Sequence, residues 1–539
     1  MWAKALLALL IVAQTLFFVA LGAQKREYHI DEIYSYLFSN SAHAESFSFA
    51  DWLIDDWVPG REFDTITTVQ RGEELCYDAP YRNTALDCHP PLYYWALHTV
   101  CLFFPDVLSK WFGIGLNILF FVIGQILLYV TCHYLTESKP MSLIAVVLYG
   151  FSSFAVTTVQ YARMYMMLSM FTLAYVYFTL RVLREGPSLS TVLPASIVLY
   201  LGAMTQYYFL IFAFWVALIL GIHLLRKGEI RGALLYGTML CLAVLAMFVS
   251  FPYVIDHVRG TSTNNIGNEI TKSAFDLKLW GHQTKELVLL TLRGFCFSGK
   301  LDKIFLVVAT AGILAYSVMS RCSFVAAMRN MGFEVWLLSA SFALTFLTIA
   351  KVGGHYVYLR YILFVVPVLY LILATVIMRI PVRDASGAKR TLTVVASLLM
   401  TVALADALLV AYRGDDSFTY APFADKTAAV VSHKEEPLIV MLARESDGDV
   451  EMTANYTRMR SFDQVYVGAK DHVLKGGVLR DCLKKNGSCL LYIPTDTYWI
   501  RGYNSSKILA WVEKALGPLS VTSVTEVGLG QYYLLEREG

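Results

Sequence analysis

ALLALLIVAQTLFFVALGA, residues 5–23, is the first of a succession of apolar runs whose reading decides the fold. Lys4 precedes it and small residues end it, the outline of a cleaved secretory leader. Its length and the runs that follow mark a retained membrane helix instead, because an α-helix needs about 20 apolar residues to cross a hydrocarbon core of ~30 Å. Such runs recur as far as Tyr412 and then stop. The chain is 57% hydrophobic and only 16% charged, against about a quarter charged in an ordinary soluble domain. Its net charge of +2 argues neither way on nucleic acid, but the basic residues are spread through short loops rather than grouped on one face, and no nucleic-acid partner is expected.

The positive-inside rule decides which runs cross. If residues 5–23 cross outward, residues 24–88 lie outside. The next run, His89–Phe104, is short and contains proline and histidine, so it is read as lying in the interface or re-entering without crossing. Crossing segments then fall at 108–131, 140–158, 166–183, 190–205, 207–225, 232–252, 302–320, 333–350, 361–380 and 391–412, about eleven with the first. In that frame Lys4, Lys139, Arg181, Arg184, Arg226, Lys227, Arg231, Arg321, Arg329, Arg379, Arg383, Lys389 and Arg390 face the cytoplasm, and the short outer turns keep Arg163, Lys351 and Arg360. Letting the histidine-proline run cross would invert every later loop and reverse the bias.

Three stretches are too long to be turns: 24–107, 253–300 and 413–539, all extracytoplasmic in this frame. Function is expected there. Residues 1–412 read as a mainly α, polytopic membrane domain. Residues 413–539 read as a small α/β domain outside the cytoplasm, with strand-like runs at 438–443, 489–494 and 531–535 and helix-like ones at 471–485 and 505–516. No internal repeat of the kind transporters show is evident. Of nine cysteines, Cys101, Cys132 and Cys241 lie in or beside apolar spans, whereas Cys76 with Cys88 and Cys482 with Cys489 lie in polar outer regions, where two disulfides and four free thiols are both allowed.

Just after the first helix, Lys25-Arg26-Glu27-Tyr28-His29-Ile30-Asp31-Glu32-Ile33-Tyr34-Ser35-Tyr36 places two adjacent carboxylates at the membrane surface among aromatic residues. Such a site is expensive unless it is used or paired. Partial desolvation suits a carboxylate to act as a general base toward a hydroxyl, while pairing with Lys25 or Arg26 is the plainer reading. In His89-Pro90-Pro91-Leu92-Tyr93-Tyr94-Trp95-Ala96-Leu97-His98, two prolines fix an extended entry to a surface helix. Gln160-Tyr161-Ala162-Arg163-Met164-Tyr165 ends a helix with an outer cation that either pairs a phosphate or carboxylate or reaches to lipid headgroups.

Lys351-Val352-Gly353-Gly354-His355-Tyr356-Val357-Tyr358-Leu359-Arg360-Tyr361 adds further outer cations before a span containing Pro367. Together the outer cations form a candidate phosphate-binding edge. His29, His89 and His355 share no ligand spacing, so solvated or hydrogen-bonded histidine is a better account of them than a metal site; a divalent metal is allowed but no cofactor is required. No G-x-x-x-x-G-K-[ST] or strand-linked G-x-G-x-x-G occurs. Asp447-Gly448-Asp449 spells D-x-D but reads as a surface turn, and the sequons at Asn455, Asn486 and Asn504 are explained equally by chance.

A first helix followed by Asp31-Glu32, then His89-Pro90-Pro91-Leu92-Tyr93-Tyr94, then Tyr161-Ala162-Arg163-Met164-Tyr165, then Leu359-Arg360-Tyr361 before a proline-containing span, resembles the GT-C membrane glycosyltransferases. The likeness covers roughly residues 1–412 and is greatest to the branch of protein O-mannosyltransferases and bacterial aminoarabinose transferases. It implies a GT-C fold and a polyprenyl- or dolichyl-phosphate sugar as donor, held with its lipid tail in the membrane. It also implies an extracytoplasmic acceptor (protein, lipid or cell-envelope glycan) and inversion at the anomeric carbon. By motif, Asp31 is then the base, with Glu32 supporting it or contacting the acceptor. Arg163 and Arg360 neutralise the leaving phosphate. Lys351, from the outer-cation edge, is expected to bind the donor phosphate with them, and His29, Tyr34, His89, Tyr93, Tyr161, Tyr165, His355 and Tyr361 are expected to line the substrate pocket. Two rivals remain: a transporter or flippase of lipid-linked glycans, which would place ionisable residues inside the spans, and a ligase or polymerase using a diphosphate-linked donor.

Overall fold

The structure is a computed structural model and describes residues 2–42, 53–259, 276–320, 331–352, 358–380, 385–414, 420–442, 448–495, 505–517, 519–527 and 529–537. The chain divides into two compact units, one of residues 1–23, 88–93 and 114–415 and one of residues 24–87, 94–113 and 416–539.

The first unit is helical. Among the described residues, seven helices are long and apolar enough to cross a membrane: Trp2–Gln24, Lys110–Thr136, Tyr165–Glu185, Tyr208–Arg226, Ile230–Ser250, Phe333–Val352 and Arg390–Arg413. A bent pair, Lys139–Gly150 and Ser153–Gln160, makes an eighth if its 57° bend lies within one span. Outward leucines such as Leu9 and Leu16 are exposed on the first helix, as expected of a face solvated by lipid. The chain is an integral membrane protein.

The other expected spans also coincide with helices, but two are shorter than their apolar runs. Leu189–Ala203 and Val366–Arg379 reach only about 20 Å at 1.5 Å per residue. The second loses its start because Pro367 suits the first turn of a helix and not its interior, so the chain before it is wound as two short 3₁₀ turns, Leu359–Tyr361 and Leu363–Val365. The run at 302–320 is helix Gly299–Ser320. The histidine-proline run becomes a ten-residue helix, Leu92–Cys101, too short to cross.

The bend at residues 151–152 has a local cause. Ser152 caps the outgoing helix, its hydroxyl accepting from the Ala155 amide. Behind the bend, Gln14 and Gln125 converge on the Val146 carbonyl at 3.0 and 3.3 Å. A Cβ on Gly150 would lie 2.1 Å from the Gln14 amide nitrogen, so glycine is what lets these glutamines approach.

The second unit holds a six-stranded sheet. Its strands are β1 (Trp57–Val58), β2 (Leu438–Leu442), β3 (Val465–Ala469), β4 (Ser488–Pro494), β5 (Leu519–Val527) and β6 (Gly530–Arg537), in the order β1-β3-β2-β4-β6-β5. β2 runs parallel to β3 and β4, and the other pairings are antiparallel. Every residue of β2 is buried, as a parallel strand covered on both faces requires. Leu438, Val440 and Leu442 face one core with Ile33, Phe63, Met452 and Tyr456. Ile439 and Met441 face the other with Val473, Leu479 and Val512.

Three of these strands match the strand-like runs in the sequence. β1, β3 and β5 were not legible there, and the helix-like run 471–485 is broken into Lys470–Leu474 and Val478–Asn486. Gly477, with φ 87°, makes the break.

β1 belongs to the segment between the first two membrane helices, so this unit joins two segments far apart in sequence. The Gly60 amide donates to the Phe462 carbonyl at 2.9 Å, an approach so close that a Cβ there would meet the Met459 carbonyl oxygen at 2.2 Å. Tyr456 donates to Asp64 at 2.7 Å, and Arg460 pairs with the same carboxylate at 2.9 Å. No disulfide joins any of the eight cysteines among the described residues, Cys76, Cys88, Cys482 and Cys489 included. Cys76 donates instead to the Asp78 carboxylate at 3.2 Å.

Candidate functional site

In the second unit, the segment after the first membrane helix turns at Lys25–His29 into helix Ile30–Asn40. His29 is its N-cap. The His29 Nδ1 accepts the Asp31 amide at 3.1 Å, and the His29 amide donates to the Glu32 carboxylate at 2.8 Å. This is a capping box with histidine in the place usually taken by serine or threonine. Two acids in the first turn also complement the partial positive charge of the helix N-terminus.

The adjacent carboxylates have unlike surroundings. The Glu32 side chain is 0% exposed and forms an ion pair with Lys25, itself 1% exposed. Burial pushes the Lys25 ammonium below the usual lysine range, and Glu32 pulls it back up only in part. The Asp31 side chain keeps 22% of its surface and lies 3.8 Å from His29 Nδ1. Because that nitrogen accepts a hydrogen bond from the Asp31 amide, it carries no proton with which to pair the carboxylate. Tyr34 stacks on Phe38 one turn on, at 5.7 Å.

The helix is fastened from below. Ile33 lies in the sheet core, with Tyr28 and Leu37 packed against it. Glu27, almost fully buried, accepts from the Thr427 hydroxyl at 2.7 Å, and that hydroxyl accepts from buried Arg458 at 3.0 Å. Burial also holds the Tyr28 phenol protonated, far above its ordinary value. None of this network was legible in the sequence, because its partners lie hundreds of residues apart.

In the first unit, the corner between helices Ser153–Gln160 and Tyr165–Glu185 gathers most of the expected cations and aromatics. Buried Asn117 donates to the Tyr161 and Val159 carbonyls at 2.7 and 3.2 Å, closing the end of the incoming helix. Arg163, 5% exposed, donates to His89 Nε2 at 3.4 Å. Arg360 donates to the Tyr161 hydroxyl at 3.3 Å, and its guanidinium lies over the Tyr358 and Tyr361 rings at 4.5 and 5.6 Å. Tyr161 and Tyr165 are parallel, 6.1 Å apart. Tyr93 is fully buried. Two arginines in one corner, backed by rings, can hold a dianion.

Lys351 is held elsewhere in this unit, at the N-terminus of helix Leu277–Leu292, its Nζ 3.4 Å from the Asp276 carbonyl. His355 lies outside the described residues, as does Asp447 of the D-x-D. Of the other two histidines, His29 has its Nδ1 in the helix cap, and His89 accepts from Arg163 at Nε2. Asn455 is fully buried, its amide group bonded to the Glu451 carbonyl at 2.8 Å and to the Tyr532 hydroxyl at 2.5 Å. Its sequon is therefore closed to glycosylation in the folded chain.

No protein-family model and no curated protein matches the sequence. Solved structures do. ArnT from Cupriavidus metallidurans in the apo state matches with 12% identity and a TM-score of 0.51, over 99% of this chain and 98% of that one. ArnT from the same organism bound to undecaprenyl phosphate matches with 13% identity and a TM-score of 0.48, over 98% and 97%. On the strength of the first match, the chain has the ArnT-like GT-C membrane fold.

Proposed function

We propose that this chain is an inverting glycosyltransferase that moves a sugar from a polyprenyl or dolichyl monophosphate to an acceptor outside the cytoplasm. The observation that carries this reading is the unequal treatment of the two carboxylates. Glu32 is spent on the cap and on Lys25, whereas Asp31, on the same rigid turn, keeps open surface. A general base must reach its proton and be held in place, and the exposed surface that Asp31 keeps on a capped helix turn supports that role. Of the two roles open to Glu32, burial favours support of Asp31 over contact with acceptor.

The chemistry balances with these groups alone. The acceptor oxygen attacks the anomeric carbon while its proton passes to Asp31. The bond from that carbon to the phosphate oxygen breaks, and its electron pair leaves with the polyprenyl phosphate. Arg163 and Arg360 meet the negative charge that the phosphate gains, where buried cations are worth most. The Tyr161 hydroxyl orients Arg360. The GT-C fold shared with ArnT supports the class of reaction, and the concentration of arginine and lysine on one side of the spans supports an outer position for residues 24–107 and for the C-terminal domain.

A flippase would use ionisable groups within the spans. Asp406, buried in the last span, is bonded to the Phe297 and Ser298 amides at 2.6 and 3.1 Å, which is a structural use. The test of the proposal is transfer from a polyprenyl monophosphate sugar by purified protein. Asp31→Asn should retain the wild-type melting temperature and lose at least 10²- to 10⁴-fold in rate. A fully active variant refutes the assignment of the base, and activity only with a diphosphate-linked donor refutes that of the substrate.

A further inference from the structure

Helix Ala421–Val431 supplies nothing to the proposed reaction, yet it meets the acid segment of its own unit at two places. At its start, Tyr420 holds a left-handed backbone, φ 52° and ψ 30°, a region that side chains bearing a Cβ rarely occupy. Its ring centroid lies 5.3 Å from Lys25 Nζ and 6.3 Å from the His29 ring. Phe423 meets the Tyr420 ring at 6.4 Å and 71°. Further along, Thr427 bridges Glu27 and Arg458, which fixes the helix against the loop that carries His29. A disfavoured backbone held so firmly points to a use for the side chain it presents.

Burial sorts these residues. Lys25, Glu27, Glu32 and Arg458 are buried and fix the geometry. Asp31, His29, Tyr420 and Phe423 keep exposed surface, giving a carboxylate, an imidazole and two aromatic rings. A phosphate would be repelled by Asp31, and a plain hydrocarbon would have no use for it. A pyranose satisfies both kinds of group, since its hydroxyls accept and donate hydrogen bonds while its C–H face lies on an aromatic ring.

The geometry points to Tyr420, flanked by Phe423, as an aromatic platform on which a pyranose ring stacks beside Asp31. This deepens the proposed function and rests on it for the role of Asp31. The ring is either the sugar being transferred or that of the acceptor, which are chemically alike at this platform.

The test uses the full-length protein in a detergent without a sugar headgroup, with methyl β-D-glucopyranoside as probe and saturation-transfer NMR as readout. Wild type and Tyr420→Phe should both transfer saturation to the ring C–H protons. Tyr420→Gly should lose at least fivefold while melting no lower than wild type, because glycine accepts the left-handed backbone. Glycerol, a polyol without a ring, should give no signal in any of them. No saturation in the wild type, or equal saturation in Tyr420→Gly, overturns the platform whether or not Asp31 is the base.

Hydrolysis of undecaprenyl-phosphate glucose then assigns the source of the ring. A KM for this donor raised tenfold in Tyr420→Gly identifies the transferred sugar, and an unchanged KM identifies the acceptor. Failure of the wild type to cleave any lipid monophosphate sugar would count against the proposed function alone, with the NMR result standing.

Discussion

Lys25→Met tests the buried ion pair beneath the acid site. Both side chains are at most 1% exposed, so solvent does not screen them, and removing the ammonium leaves the Glu32 carboxylate in a dry site with the His29 amide as a remaining donor at 2.8 Å. Breaking a buried pair in this way costs about 3–5 kcal/mol, and the surviving amide bond puts the expected value near 3 kcal/mol. Burial lowers the Lys25 pKa more than Glu32 raises it, so desolvation outweighs attraction and the pair as a whole adds little net stability. Lys25→Met with Glu32→Gln together should therefore return to within about 1.5 kcal/mol of wild type, glutamine still accepting the His29 amide in the capping box.

The single change Glu32→Gln adds a pH signature. With its folded pKa depressed, Lys25 contributes stability that is complete only above about 10.5, its unfolded value, and is lost as pH falls through the folded value. That variant should gain stability as pH rises from neutral. The assay is chemical denaturation of purified protein at several pH values, with the two single variants and the double variant closing a cycle. A Lys25→Met midpoint equal to wild type, or a double variant no more stable than Lys25→Met, would refute the reasoning.

Three further expectations concern other places. Arg163→Gln should raise the KM for the lipid-phosphate donor about 10- to 100-fold, the value of a lost charge-assisted hydrogen bond, with the melting temperature little changed; an unaltered KM removes Arg163 from the phosphate site. Asp406→Leu strands the Phe297 and Ser298 amides and should destabilise the membrane unit by about 2–6 kcal/mol, read as a lower melting temperature. Burial holds the His98 pKa below its usual 6.5 while its Nε2 faces the Glu74 carbonyl at 3.2 Å. Stability from His98 is thus full above pH 6.5 and is lost as pH falls through the lower folded value; His98→Gln should flatten the acid limb of the melting curve.

The membrane helices were legible because lipid demands long apolar runs, and each expected span meets a helix or bent pair. Their lengths were not: Pro367 starts its helix late, and the bend at 151–152 depends on Gln14 and Gln125, which no local pattern connects to Gly150. At the acid site, the adjacency of Asp31 and Glu32 could be read, but not their division of labour. Serine or aspartate before the helix would have announced a capping box, and histidine in that place did not. The arginine corner was legible as an ordered set of motifs, but the contacts of Arg163 with His89 and of Arg360 with Tyr161 span 74 and 199 residues, beyond the reach of spacing arguments. The two-residue strand β1 has no periodicity to detect at all, and the buried Asn455 shows how a motif can be present in letters and absent in chemistry.

β1 also constrains the order of biosynthesis. Trp57 and Val58 pair with Tyr466 and Val465, and Glu27 waits on Thr427 and Arg458. A ribosome delivers these partners only after about 400 intervening residues, nearly all of the membrane helices among them. The loop bearing Asp31 must therefore stand unassembled until the last domain emerges, and a transcript cut short after the final span would yield an inserted protein whose acid turn has no floor to rest on.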